Sequence, residues 1–206
     1  MTMRGAFTHA PVVAFRGGRN YVHSTTLYKQ IIIGADLAGL AIDGSMKLRV
    51  RRLVRFQPEL HYSLDPASLN PDASATFSIQ ADGAVWYGAV IEQTVPVVER
   101  EPYDETPISS RALIDGVSIR IMGSSGMHPI EVIMSLTLLL HQRLFETEVT
   151  RKWYLAQLQL ARPLSPEDGQ QVQIEMKRKL GKMMTRSSVV VDDTSIGMVE
   201  FAQGPI

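Results

Sequence analysis

The stretch Gly126–Leu140, GMHPIEVIMSLTLLL, runs a histidine and a proline straight into an apolar segment, and Asn20–Gly34, NYVHSTTLYKQIIIG, sets a second histidine before a second apolar run. Proline is tolerated in the first turn of a helix, where its missing N–H has no intrahelical partner to lose. Pro129 therefore makes His128 the cap of a helix reaching about Phe145. In the earlier stretch Ser24 or Thr25 can cap, while Leu27, Ile31, Ile32, Ala35 and Leu37 recur at helical spacing. That pattern predicts a helix from Ser24 to Leu40 with Gly39 near its end. His23 and His128 lie 105 positions apart (128 − 23), and so do Pro58 and Pro163 (163 − 58).

Strand patterns follow each helix. After a turn at Asp43-Gly44-Ser45, Leu48, Val50, Leu53 and Phe56 alternate with Lys and Arg, with a break at Arg51-Arg52. A loop rich in Pro, Asn, Asp and Ser covers Asp65–Ser74, and a hairpin turns at Asp82-Gly83. Beyond a linker marked by Pro96, Pro102 and Pro107, the segment 111–123 is a strand candidate ahead of the second helix. Strands over 152–164, 171–180, 183–191 and 195–201 come after it, turning at Gly181 and at Asp192-Asp193. Each half reads His, helix, strand, Pro, strand, Asp turn, Gly, strand, with Gly88 and Gly197 after their turns. This internal repeat predicts a fused pair of α+β units, residues 1–100 and 101–206.

Composition removes several function classes. Lys plus Arg and Asp plus Glu are both 21, so no excess charge draws the chain to nucleic acid or to an anionic membrane. The absence of cysteine excludes disulfides, thiolate metal ligands and cysteine nucleophiles, and is compatible with a reducing compartment. The N-terminus lacks the apolar core of a signal peptide, and the most apolar segment, 130–144, is short for a bilayer and carries Glu131, His141, Gln142 and Arg143. A cytoplasmic protein is expected. There is no glycine-rich phosphate loop, no nucleophile elbow and no His/Asp/Glu set at metal-ligand spacing, so neither a metal nor a resident cofactor is expected.

The run LQLARPLSPEDGQQVQIEMKRKLGKMMTRSSVVVDDTSIGMVEF, residues 158–201, resembles the C-terminal strands of hotdog-fold proteins, particularly β-hydroxyacyl-carrier-protein dehydratases. In those proteins a strand ends in Arg-Pro, here Arg162-Pro163. A Pro-x-Asp turn follows, here Pro166-Glu167-Asp168, and a later strand ends in Val-Asp-Gly, here Val191-Asp192-Asp193. The likeness covers Gly126–Phe201 and, more weakly, Tyr21–Glu92. It implies an α+β double hotdog of two tandem units, each with one long helix wrapped by a curved antiparallel sheet. The tandem arrangement is also similar to the A-factor synthase family, whose motifs are not matched here.

The resemblance further implies an acyl thioester as substrate, carried by coenzyme A or by an acyl carrier protein, with its carbonyl at a helix start between paired units. Backbone N–H groups and the helix dipole polarise such an oxygen, and a histidine there can serve as general base. His128 and His23 are the catalytic candidates. In the dehydratases a Glu or Asp lies on the helix six residues after the proline. That position is Ser135 here, and Gln30 in the first half, so dehydration by a His/acid pair loses its acid. Glu131 is the nearest carboxylate and equally suits the helix dipole. Arg51, Arg52 and Arg55 form the densest basic cluster, a candidate contact for the phosphates of the carrier, with a solvated strand face as the competing reading. His141, Gln142 and Asp36 are expected to form buried hydrogen-bonded pairs, and Trp86, Tyr87, Trp153 and Tyr154 to pack on strands. Dehydration or hydration, thioester hydrolysis and acyl transfer are the reactions in view. A non-catalytic protein that binds a small apolar ligand, or serves as an interaction scaffold or homo-oligomer, is the other class.

Overall fold

The computed structural model describes residues 5–145, 152–181 and 183–204, which fall into two compact units, Met1–Tyr103 and Asp104–Ile206. The first unit contains β1 (Ala6–His9), β2 (Phe15–Arg16), α1 (Ser24–Leu37), β3 (Ile42–Val50), β4 (Phe56–Ser63), β5 (Ala75–Ala81), β6 (Ala84–Pro96) and β7 (Arg100–Glu101). Its sheet runs in the order β1-β4-β6-β5-β3 with antiparallel neighbours, and β2 pairs separately with β7 in parallel. Helix α1 buries Leu27, Tyr28, Ile31 and Ala35 on one face, and the Tyr62 hydroxyl of β4 donates to the Ile31 carbonyl at 2.9 Å. Gly34, a poor helix former, is what lets Tyr62 approach, since any Cβ there would collide with its hydroxyl.

Several expectations need correction. Leu37, assigned to the apolar face of α1, is 72% exposed, because the helix ends there and Gly39 (φ +76) turns the chain away. Asp43-Gly44-Ser45 is not a turn but the irregular first half of β3, where the register shifts between Ile42 and Met46 and the Asp43 carboxylate accepts from the Gly83 N–H. Pro58 lies inside β4, whereas Pro163 lies in a loop, so their matching offset is not a structural equivalence. The Asp82-Gly83 hairpin is as expected, both residues having positive φ as a two-residue hairpin loop requires.

The second unit contains α2 (Thr106–Ser109), β8 (Ala112–Asp115), β9 (Ser118–Ile121), α3 (Pro129–Leu144), β10 (Lys152–Leu160), β11 (Val172–Leu180), β12 (Met184–Val191) and β13 (Thr194–Gly204). The segment read as one strand is thus a hairpin, β8–β9, folded about Gly116 (φ +56). The sheet order is β10-β13-β12-β11-β9-β8, again antiparallel. Every residue of α3 from Pro129 to Thr137 is buried, as a helix that is apolar nearly all round demands. On β12 Thr185, Ser187, Val189 and Val191 are buried at alternate positions along one face, and Ser188 is buried on the other. Each unit therefore sets one long helix with an antiparallel sheet.

A side-chain clamp fixes the approach to α3. Asp168, in the 3-10 turn Pro166–Gln170, accepts two bonds from the Arg162 guanidinium at 2.7 and 2.9 Å and one from the Ser165 N–H at 2.8 Å. Burial pushes the Asp168 carboxyl up, but these bonds outweigh it and hold the group below the usual carboxylate range. The turn so fixed brings Gly169 against Met127 and Pro129 at the helix start. The Arg-Pro and Pro-x-Asp residues that carried the resemblance thus serve as a scaffold for the site.

Candidate active site

At the start of α3 the chain turns at Gly126 (φ +71) and reaches His128 in an extended conformation (φ −62, ψ 140), which places its side chain over the first turn. His128 Nδ1 accepts from the Ile130 N–H at 3.2 Å, and the His128 N–H donates to Glu131 Oε2 at 3.1 Å. Two N–H groups that lack helical partners are thereby satisfied reciprocally, a capping box with histidine in the place usually held by Ser or Thr. His128 is exposed and Glu131 is buried. With Nδ1 accepting from the helix, the neutral ring carries its proton on Nε2. Glu131, in the first turn, also complements the helix dipole.

One turn further along, Ser135 is buried and donates its hydroxyl to Glu105 Oε1 at 2.8 Å. This is the position where the dehydratase resemblance calls for a helix carboxylate, and the fold brings one to it from the residue preceding α2. Sequence reading missed Glu105 because it sits among the scattered acids of the linker, thirty positions away and with no periodicity to mark it.

The start of α1 is built differently. His23 caps through its backbone alone, its side chain making no capping hydrogen bond, and its ring is buried. Its Nδ1 lies 2.7 Å from Thr25 Oγ1, which also accepts from Arg16 Nη1 at 3.3 Å. The His23 ring stands 5.6 Å from that of Tyr103, and the guanidinium carbons of Arg16 and Arg19 lie 5.2 and 5.1 Å from the Tyr103 centroid. Arg16 sits on β2 and Glu101 on its partner β7, 3.9 Å from the Arg16 Nε, so this two-stranded ribbon delivers the cluster to the helix start. Arg16, Arg19 and Tyr103 were not singled out from sequence, and Thr25 only as a cap, since nothing local joins residues at both ends of the unit.

The basic cluster is partly engaged. Arg51 Nη1 donates to the Pro71 carbonyl at 2.7 Å, and Arg52 donates to the Asp72 carbonyl at 2.7 Å and to Ser74 Oγ at 2.8 Å, so both hold the connection between β4 and β5. Arg55 is exposed beside them. His141 is fully buried and forms the expected buried hydrogen-bonded pair, with Thr185 at 2.7 Å, whereas Gln142 and Asp36 are exposed. Among the described residues no cluster of three metal-ligating side chains occurs, and no helix is long and apolar enough to cross a membrane.

No family model and no curated protein matches this sequence. Among solved structures the chain is similar to a pyran synthase domain from module nine of the sorangicin pathway, with 10% identity, a TM-score of 0.51 and coverage of 100% of this chain and 96% of that one. A monomeric dehydratase domain from a trans AT polyketide synthase split module gives a TM-score of 0.47 at 10% identity, covering 98% of this chain and 99% of its own. An acyl-ACP thioesterase from Bacteroides thetaiotaomicron gives 0.46 at 10% identity, covering 97% of each chain. At these identities likeness reports on fold and not on chemistry. Together with the helix-and-sheet plan of its units, it identifies the chain as a hotdog-fold protein.

Proposed function

We propose that the protein consists of two tandem hotdog units and binds an acyl thioester, carried by coenzyme A or an acyl carrier protein, with the thioester carbonyl directed at the start of α3. The observation that carries this reading is the capped helix start itself: an exposed His128 presenting Nε2–H beside the positive end of a helix that is buried along its first half. Such a donor, together with the helix dipole, stabilises negative charge developing on a carbonyl oxygen, an effect worth about 3–4 kcal/mol for one well-placed donor. Dehydration or hydration, thioester hydrolysis and acyl transfer all pass through such charge. The tautomer set by the cap favours carbonyl polarisation over proton abstraction by His128. Coenzyme A or a phosphopantetheine arm enters as the carrier of the substrate, not as a resident cofactor.

The test is thermal shift or calorimetry with acyl-coenzyme A thioesters of short, medium and long chain, on the wild type, His128→Ala and His128→Asn. A ligand that binds only the folded state raises its stability by mass action, so a chain-length-dependent shift is expected. Asn retains a capping acceptor but not the ring Nε2–H. Retained binding with turnover lowered about 100-fold or more in His128→Asn is the expected signature of carbonyl polarisation. Retained binding with turnover in neither protein would favour the ligand-binding class. No shift with any thioester would remove the acyl-thioester reading.

A further inference from the structure

The far end of α3 carries polar groups that the proposed function does not use. His141 is 0% exposed and sits twelve residues beyond Pro129, about 18 Å along the helix axis. Its ring is stacked on Trp153 (centroids 4.4 Å apart, 13° between planes) and lies 5.4 Å from Phe201 and 5.9 Å from Phe145. Nε2 is 2.7 Å from Thr185 Oγ1, but Nδ1, also buried, has no hydrogen-bond partner among the described residues. Gln203, 8% exposed, leaves its buried Nε2 without a partner too. Gln203 is the direct cross-strand neighbour of Trp153 and stands two residues from Phe201 on β13, so it shares the face of the sheet on which the His141 ring packs.

Buried donors and acceptors are paired in nearly all folded proteins, and two orphans on one face of the sheet, around Trp153 and Phe201, call for a partner. We infer that the aromatic-walled end of the second unit is a binding site for a neutral oxygen-bearing group, a hydroxyl or carbonyl, bridging His141 Nδ1 and Gln203 Nε2. A hydroxyl donates to a bare Nδ1 while accepting from the Gln203 amide; a carbonyl accepts from both if Nδ1 carries the proton. Either tautomer of His141 is therefore served by one oxygen. Burial holds the His141 pKa at about 3, so the ring is neutral at pH 7 and provides no counter-charge for an anion. The Gln203 N–H faces a cation with the wrong end of its dipole. Two sources fit the chemistry: a water molecule, or an oxygen far along a bound acyl chain. The second rests on the acyl-thioester reading; the first does not.

The test has two arms, with Gln203→Met as the shape-conserving variant. In the free protein, through-space NMR transfer from water to the Gln203 side-chain amide is expected, and Gln203→Met lowers Tm by about 2–4 °C. In the second arm, thermal shift compares long-chain acyl-coenzyme A carrying a hydroxyl near the chain end with the unsubstituted chain. An oxygen drawn from the ligand gives about a tenfold preference for the hydroxylated chain that Gln203→Met abolishes. Either result supports the site and names its source. Absence of both, with Gln203→Met neutral or raising Tm, overturns it. If neither thioester binds, the acyl-thioester reading fails and the water arm alone decides the site.

Discussion

At the start of α1 the His23 ring is buried against Thr25 and Tyr103 and takes no part in capping, while at the start of α3 His128 is exposed and its ring closes the helix. The sheets differ in a related way. In the second unit β11, β12 and β13 follow one another through tight connections and are neighbours in the sheet. In the first, residues 64–74 carry the chain back so that β5 runs in the same direction as β4, and β6 lies between them. Arg51 and Arg52 hold that connection, which gives the basic cluster a structural task in the first unit. A repeated order of elements thus does not guarantee repeated pairing or repeated use of a residue. Gly88 and Gly197 show the same divergence: a Cβ would strike the Phe77 ring at one and the Gln159 backbone carbonyl at the other.

The largest expected effect separates the two helices by pH. His141 and Asp36 share the 105-residue offset, yet one is buried and the other exposed. Burial lowers the folded-state pKa of His141 to about 3 from 6.5. Above pH 6.5 neither state is protonated and there is no penalty. Between pH 6.5 and 3 the unfolded chain takes a proton that the folded chain refuses, so stability falls by up to about 1.4 kcal/mol per pH unit. Urea unfolding at pH 7, 5 and 4 should show this fall flattened in His141→Gln and unchanged in Asp36→Asn. Parallel curves for wild type and His141→Gln would mean that His141 is not kept neutral.

Next in size is His23→Asn, which should cost about 2 kcal/mol, because asparagine can cap but cannot refill the space beside Tyr103 or preserve the His23–Thr25 contact. Asp168→Asn removes the paired geometry with Arg162. Since Arg162 is about half exposed, solvent screening limits the loss to about 1–2 kcal/mol. It should also weaken acyl-thioester binding more than His23→Asn does if the start of α3 is the binding end, which isothermal calorimetry can compare directly.

Much of the second unit was legible because its signals are local. Pro129 fixed the helix start, Gly181 and Asp192-Asp193 marked turns between neighbouring strands, and Asp82-Gly83 did so in the first unit. What escaped depends on contacts between distant residues. The ribbon of β2 and β7 joins residues 15–16 to 100–101, Glu105 reaches Ser135, and β6 inserts between β4 and β5 only because of a long connection whose path composition does not encode. Leu37 failed for a simpler reason: helical spacing marks a face, but at the last turn that face has nothing left to pack against.

The smallest effect is also the sharpest for the comparison. If His128 acts on stability only as a cap, then His128→Asn, which replaces one good N-cap acceptor with another, should change stability by less than about 0.5 kcal/mol, whereas His128→Ala should cost about 1 kcal/mol. Glu131→Gln should fall between them, since the amide oxygen still accepts the His128 N–H but no longer carries charge toward the helix dipole. Chemical denaturation of the three variants resolves these differences. A loss in His128→Asn as large as that in His23→Asn would show that the exposed ring makes contacts beyond its cap, and the contrast between the two helix starts would then be one of exposure alone.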